Sequence, residues 1–548
     1  MKFTYYSTFI FLFVSQYCFG QFSQIKEINP SGNSSLALQQ GGQARVGDTY
    51  FFSAHNEQSG TELWKSDGTE NGTVLVKDIN SGAGSSEPDH FHVVGNLLLF
   101  TADNGINGRE LWKSDGTAGG TEMVKEIQPG VASPFKNAFL SLYRSDFQVF
   151  NSQLFFRAYD AQEGLELWKS DGTASGTGMV KSIGFGQNDG CQGDFEIMNG
   201  VLYFVGFNNQ SGDEIWKTDG TDTGTVQVTD NLSDEPRDLT AFGNMLLFTL
   251  NDGVNGTELW KSDGTEQGTS LLKDTDVAAM SGGLSHDTPK FEERFFVLGN
   301  KAYFSVVNSQ NDTQLWLTDG TTAGTKKLKS FGQSDCVPSH FVSLGNQVLF
   351  GQCGFPEDLL WISNGTTVGT KMLIGLGQSD LYLDPSFPRF HAHDGNVWFG
   401  VKDFGQTNLY KTNGTVANTV QVDGVYAPDK FFSIGNNMIF WATNSDFDEN
   451  YEPFIYAPTP NATQDIFNND LLQISPNPAA SWIHLNQTGQ VSPILQARII
   501  DSNGRIVRVL SELPNNSIHI GDLPNGMYLL QVLSEDRGWG NARFQKNN

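Results

Sequence analysis

Residues 110–121 read Glu-Leu-Trp-Lys-Ser-Asp-Gly-Thr-Ala-Gly-Gly-Thr, and the chain repeats this phrase along most of its length. Copies start at Glu62, Glu110, Glu166, Glu214 and Glu258, with looser ones at Gln314, Leu359 and Asn408. Their key aromatics are Trp64, Trp112, Trp168, Trp216, Trp260, Trp316, Trp361 and Tyr410, at successive spacings of 48, 56, 48, 44, 56, 45 and 49. A period of roughly 40–55 residues with β composition marks propeller blades.

Each unit reads as four strands. In the unit of Glu110, residues 91–94 form a first strand that turns at Gly95-Asn96, and 97–102 form a second, followed by a polar loop at 103–108. Residues 110–114 form a third strand turning at Asp115-Gly116, and 122–127 a fourth. Gly and Asx at the corners supply the positive φ of tight turns. The tryptophan is expected between neighbouring blades, where a large flat ring buries most area. The recurring turn aspartate (Asp67, Asp115, Asp171, Asp219, Asp263, Asp319) is expected to accept backbone N–H bonds and lock its hairpin.

Ile25-Lys26-Glu27-Ile28 resembles Val124-Lys125-Glu126-Ile127, a fourth strand without its own unit. Residues 431–434, 438–442 and 454–457 look like strands one to three of a unit without a fourth. The N-terminal strand is expected to complete that blade and remove the open edges. The fold class is therefore all-β, a β-propeller of four-stranded blades over 21–457. The repeat count gives nine blades; eight, with one unit folded as a cap, stays open.

Composition agrees. The 548 residues include 60 Gly and 41 Phe, which suits short strands and tight turns. Acidic residues number 61 against 34 basic, a net charge of −27, which disfavours nucleic acid and anionic membrane surfaces as partners. Residues 1–20 read as a signal peptide: Lys2, an apolar stretch from Phe9 to Val14, then Gly20 before Gln21. The stretch is too short to span a bilayer, and no other segment is long and apolar enough. Beyond it lie Cys191, Cys336 and Cys353, an odd count and no disulfide framework; Cys336 and Cys353 flank one expected hairpin and are placed to pair.

Residues carrying Glu-Leu-Trp-x-x-Asp-Gly-Thr resemble the ELWxxDGT-repeat family of secreted bacterial proteins, over roughly residues 40–425. That resemblance implies an architecture and no settled activity. Later copies depart from it, with Asn364 and Asn413 for Asp and Tyr410 for Trp.

A polar linker at 458–470 leads to a second domain at 471–548. Its alternating runs suggest a small Ig-like β-sandwich. The Ser475-Pro-Asn-Pro start, the Asp501-x-x-Gly504-Arg505 hairpin, Asn525-Gly-Met-Tyr528 and the terminal Lys546 resemble the type A C-terminal sorting domain of the type IX secretion system of Bacteroidota. The resemblance implies handling by type IX secretion machinery, translocation across the outer membrane, and then removal of this domain with release or surface attachment.

No Gly-x-Ser-x-Gly elbow, His-Glu-x-x-His helix, phosphate-binding loop or dinucleotide fingerprint is present. In a propeller the loops from strand four to the next strand one open on one face. Here they share Pro, two residues, then strand one, at Pro88, Pro236, Pro338, Pro388 and Pro428. The candidate ligand-binding residues are Asp89, His90, Arg237, Asp238, His340, Arg389, Asp429 and Lys430. Such a ring of carboxylates, imidazoles and cations suits a sugar, a peptide or a cation; the plain alternative is solvated loops alike by common descent. Two His-x-His pairs, His90/His92 and His391/His393, permit metal ligation because i and i+2 share a strand face, though neither has a third ligand nearby in sequence. No cofactor is expected; Ca²⁺ at loops such as 103–108 is a weaker alternative, since they lack alternating carboxylates. Long inserts fall at about 131–147 and 276–294, the first carrying Phe135, Phe139, Tyr143 and Phe147. These aromatics suit either partner contact or a satellite core.

The sequence therefore reads as a secreted or cell-surface binding or adhesion module for an extracellular glycan or protein. A structural surface component is the second reading. A carbohydrate-active enzyme with two opposed carboxylates such as Asp89 and Asp238 at the channel mouth is the third.

Overall fold

In the computed structural model the residues described are 21–30, 42–135, 146–184, 189–230, 232–254, 256–275, 295–308, 310–333, 337–352, 359–375, 390–403, 406–443, 450–457, 472–475, 481–487, 494–500, 506–510, 517–534 and 538–546. The chain divides into two compact units, Phe22–Tyr456 and Ala457–Asn548.

Within the first unit the repeat becomes sheet. Seven four-stranded antiparallel sheets follow one another, over residues 43–77, 89–125, 147–181, 191–227, 237–273, 296–333 and 339–375. In each, the strands lie side by side in chain order, as in a propeller blade. The second sheet comprises Asp89–Val94, Leu97–Asp103, Arg109–Ser114 and Glu122–Lys125, so its first strand begins two residues before the expected start.

An eighth sheet has seven strands, in the order Gln21–Gln24, Glu452–Ala457, Asn437–Thr443, Val420–Ile434, Gln406–Thr412, Asn396–Asp403 and His391–His393. Val420–Ile434 is both a fourth strand beside Gln406–Thr412 and a first strand beside Asn437–Thr443. The loop expected at Pro428 is therefore absent. Pro428 sits inside this 15-residue strand where the register shifts between Tyr426 and Asp429, a bulge that tolerates a residue with no N–H.

Each motif tryptophan packs on the preceding sheet. Trp112 joins Phe51, Leu63, Val76 and Ile79; Trp168 joins Leu99, Leu111, Val124 and Ile127; Trp216 joins Phe155, Leu167, Val180 and Ile183. Trp64 obeys the same rule at the chain ends, packing with Ile25, Ile28, Ile439 and Trp441. Truncating such a ring to Ala costs about 3–5 kcal/mol.

The N-terminal strand is Gln21–Gln24, four residues before the expected Ile25–Ile28, which lie just beyond it outside any strand but make bonds like those at the ends of other fourth strands. Ile25 N donates to Pro453 O at 2.8 Å. Lys26 Nζ reaches Thr73 O at 2.9 Å, as Lys77 reaches Thr121 O at 2.6 Å and Lys125 reaches Thr177 O at 2.9 Å. Phe22 packs among Trp398, Phe440 and Tyr456.

The second unit has two sheets. One holds Leu472–Ser475, Trp482–Gln487 and Ser517–His519; the other holds Ile506–Leu510, Ile494–Ile500, Gly526–Ser534 and Gly538–Lys546. Ile483, Ala497, Ile499, Ile518, Ile520, Tyr528 and Leu530 form its core. The strand Ser517–His519 was not foreseen from sequence. No α-helix occurs among the described residues, and none there is long and apolar enough to cross a membrane.

Candidate functional site

Most polar groups of the repeat are used by the scaffold. In the second sheet Asp115 Oδ1 accepts from Thr117 N at 2.8 Å and Thr117 Oγ1 at 2.7 Å. Thr117 Oγ1 in turn accepts from Gly120 N at 2.9 Å, and Thr121 Oγ1 donates to Thr117 O at 2.7 Å. Ser114 Oγ lies 2.7 Å from Thr121 Oγ1 and accepts from Gly116 N at 3.0 Å. Hydrogen bonds from the threonine hold the carboxyls of Asp67, Asp115, Asp171, Asp219 and Asp319 below the usual range. A Cβ on Gly120 would lie 2.1 Å from Asp115 Oδ1, which is why the motif ends in Gly-Thr. Asn364 bonds Thr366 the same way, so Asp-to-Asn drift preserves the lock.

The motif glutamate has a role that sequence reading missed. Glu110 is fully buried; its Oε2 accepts from Ile127 N at 3.0 Å and its Oε1 from Gln128 N at 3.1 Å. Glu166 holds Ile183 N and Gly184 N, and Glu62 holds Ile79 N, Asn80 N and Ser86. Each carboxyl thus ties down the start of a strand-four-to-one connection. At the chain ends Glu452 does so with Ile28 N (2.9 Å) and Asn29 N (3.2 Å). Burial pushes Glu62 up to about 7 and Glu110 and Glu166 up to about 8, against the hydrogen bonds that favour the anion.

The candidate ligand residues sit at the start of first strands, not in free loops. Asp89 pairs with Thr101 and His92 with Leu99, so the first strand carries one extra residue. The same bulge follows Gly193, Arg237, Ser339 and Asp429. His90, Asp194, Asp238, His340 and Lys430 occupy one position in it, all with positive φ between 48° and 65°. Left-handed backbone at non-glycine residues is uncommon and is seen where a fold imposes it.

Each side chain has neighbours. His90 Nδ1 is 3.2 Å from Thr101 Oγ1, and its ring lies over Phe147 of the next sheet at 4.6 Å. Asp89 Oδ1 accepts from His90 N, and Asp429 Oδ1 from Lys430 N, both at 2.7 Å. Buried Asp238 accepts from Thr249 Oγ1 at 2.9 Å, and Arg237 pairs with Glu235 at 2.8 Å. His340, also buried, meets Ser339 Oγ at 2.9 Å and the Phe390 ring edge-on. Asp194, absent from the sequence-based set, accepts from Leu239 N of the next sheet at 3.2 Å. These contacts stay within a blade or reach the adjacent one. Arg389, Cys336, Cys353, Phe139, Tyr143 and the insert at 276–294 lie outside the described residues. Phe135 and Phe147 are buried against Phe156, so those two insert aromatics form core.

The His-x-His pairs differ. His90 and His92 both face Phe147, and burial drives His92 down to about 4. His391 Nε2 and His393 Nδ1 instead converge on Ser433 Oγ. Among the described residues no three His, Cys, Asp or Glu side chains gather as a metal-binding group.

Residues 473–540 match the family model described as Secretion system C-terminal sorting domain. The chain carries a sorting tail. That tail implies handling by the type IX secretion machinery and a secreted protein. No curated protein matches the chain. Similar solved structures include the computationally designed Ika8 protein, at 13% identity and a TM-score of 0.38, covering 70% of this chain and 98% of that one. A structure from an analysis of two prolyl endopeptidases is similar at 10% identity and a TM-score of 0.39, covering 68% of this chain and 53% of that one. An oligogalacturonate lyase from Vibrio parahaemolyticus is similar at 14% and 0.33, covering 68% and 88%. Likeness at this level carries no inference about activity.

Proposed function

We propose that this protein is a binding module for an extracellular glycan or protein, exported as a nine-bladed propeller whose N-terminal strand completes its last blade. A cleaved signal at 1–20 and the sorting tail bracket the export route, ending in release or attachment at the outer-membrane surface. One observation carries the binding reading. The motif side chains are committed to the same scaffold bonds in blade after blade, whereas the bulge position changes chemistry from blade to blade. It is His90, Asp194, Asp238, His340 and Lys430 on a common backbone conformation. Asp194, Asp238 and His340 are buried, so a recognition surface on this rigid frame is supported where the variable position is half-exposed, at His90 and Lys430. Apolar Ile106 and Val131, 72% and 82% exposed on adjoining loops of the second sheet, offer further contact area.

A structural surface component is favoured by a different observation. His90 and His340 pack on phenylalanines of the neighbouring blade and Asp194 accepts a hydrogen bond from it, so these side chains serve assembly as well. A glycan array probed with the secreted protein separates the two. The binding reading predicts a discrete set of glycans, lost when Lys430 and Arg237 are changed to Ala with the melting temperature unchanged. No binding on the array and none to surface proteins of the producing cell, with self-association instead, favours the structural reading.

A further inference from the structure

Two imidazoles on one strand converge on a single point. His391 Nε2 is 2.8 Å and His393 Nδ1 2.9 Å from Ser433 Oγ. The two ring nitrogens are therefore no more than about 5.7 Å apart, against about 3.3 Å for two nitrogens at tetrahedral Zn–N distances. The rings are nearly parallel, 22° between planes and 6.4 Å between centroids, as i and i+2 side chains on one strand face should be. His393 Nε2 lies 3.1 Å from Asn436 O. A carbonyl only accepts, so the proton sits on Nε2 and the Nδ1 lone pair points at the shared site. Such a carbonyl partner is what fixes a metal-ligating histidine in one tautomer. Ser433 comes from the neighbouring stretch of the seven-stranded sheet, so the site bridges two blades' worth of chain. His393 also packs on Tyr456, which meets Phe22 of the N-terminal strand.

We propose that His391 and His393 form a capture site for a late first-row divalent ion, Cu²⁺, Ni²⁺ or Zn²⁺, with Ser433 moving aside or serving as a weak third ligand and water completing the shell. Imidazole suits these ions, and the order of affinity places Cu²⁺ first. The inference does not rest on the glycan or protein partner. The other pair differs where it counts: His90 and His92 both stack on Phe147, and His90 Nδ1 is turned to Thr101.

The test is Cu²⁺ titration of the untagged full chain by calorimetry and electron paramagnetic resonance. One equivalent is expected to bind with a two-nitrogen hyperfine pattern, in the wild type and in H90A/H92A alike. H391A/H393A should lose that pattern and bind at least tenfold more weakly. Should the double variant not fold, H391N and H393N singly should each leave a one-nitrogen pattern. S433A should keep both nitrogens. The proposal is overturned by an unchanged spectrum and affinity in H391A/H393A, or by no binding at tens of micromolar Cu²⁺.

Discussion

Changing Glu110 to Ala removes the acceptor for two backbone donors at once. Ile127 is buried, so its N–H loses its partner where water does not replace it; Gln128 is half-buried, and its N–H can be rehydrated. An orphaned buried donor costs about 1–3 kcal/mol, and a rehydrated one much less. Removing a fully buried carboxyl returns part of this, because burial already opposes its ionised form. The net loss expected is about 1–3 kcal/mol, with Glu110→Gln losing less because it keeps one carbonyl acceptor. The assay is hydrogen exchange by mass spectrometry over peptides spanning 122–130, beside a thermal melt. Exchange should rise locally at Ile127 and Gln128 and leave the equivalent Ile183 and Gly184, held by Glu166, unchanged. A variant with wild-type exchange at Ile127 would refute the idea that the motif glutamate pins these connections.

Two further outcomes follow from the same bonds. Gly120→Ala should destabilise by roughly 1–3 kcal/mol, because its Cβ meets Asp115 at 2.1 Å, whereas Gly119→Ala next to it meets nothing within 4 Å and should be nearly silent in the melt. Stability should also fall as pH rises from about 5 to 8. Glu62, Glu110 and Glu166 bind protons more tightly folded than unfolded, so their contribution is complete below the ordinary glutamate value and is lost through about 7 to 8. Melting temperatures across that window should decline in the wild type and flatten in the triple Glu→Gln variant; equal slopes would remove the glutamates as the cause.

The strands were legible because the motif carries its own turn chemistry: Asp-Gly-Thr sets the corner and the tryptophan sets the period. The second sheet departs from the reading only at its edges. What escaped was chemistry addressed to backbone. Glu110 bonds amides 17 and 18 residues downstream, and an amide has no sequence signature. The bulge hid for a similar reason, since nothing in Pro-Asp-His or Pro-Arg-Asp announces a positive φ at a non-glycine residue. The merged strand Val420–Ile434 hid behind Pro428, read as a break when a bulge accommodates it. Ser433 is 42 residues from His391, and only the sheet brings them together.

The most direct measurement is hydrogen exchange on the chain shortened to begin at residue 30, which lacks Phe22, Ile25, Lys26 and Ile28. If the N-terminal strand completes the last blade, Glu452–Ala457 should lose protection by at least tenfold, Trp64 should become exposed to quencher, and Glu122–Lys125 should be unaffected. Unchanged protection at Glu452–Ala457 would contradict a propeller completed by its N-terminus.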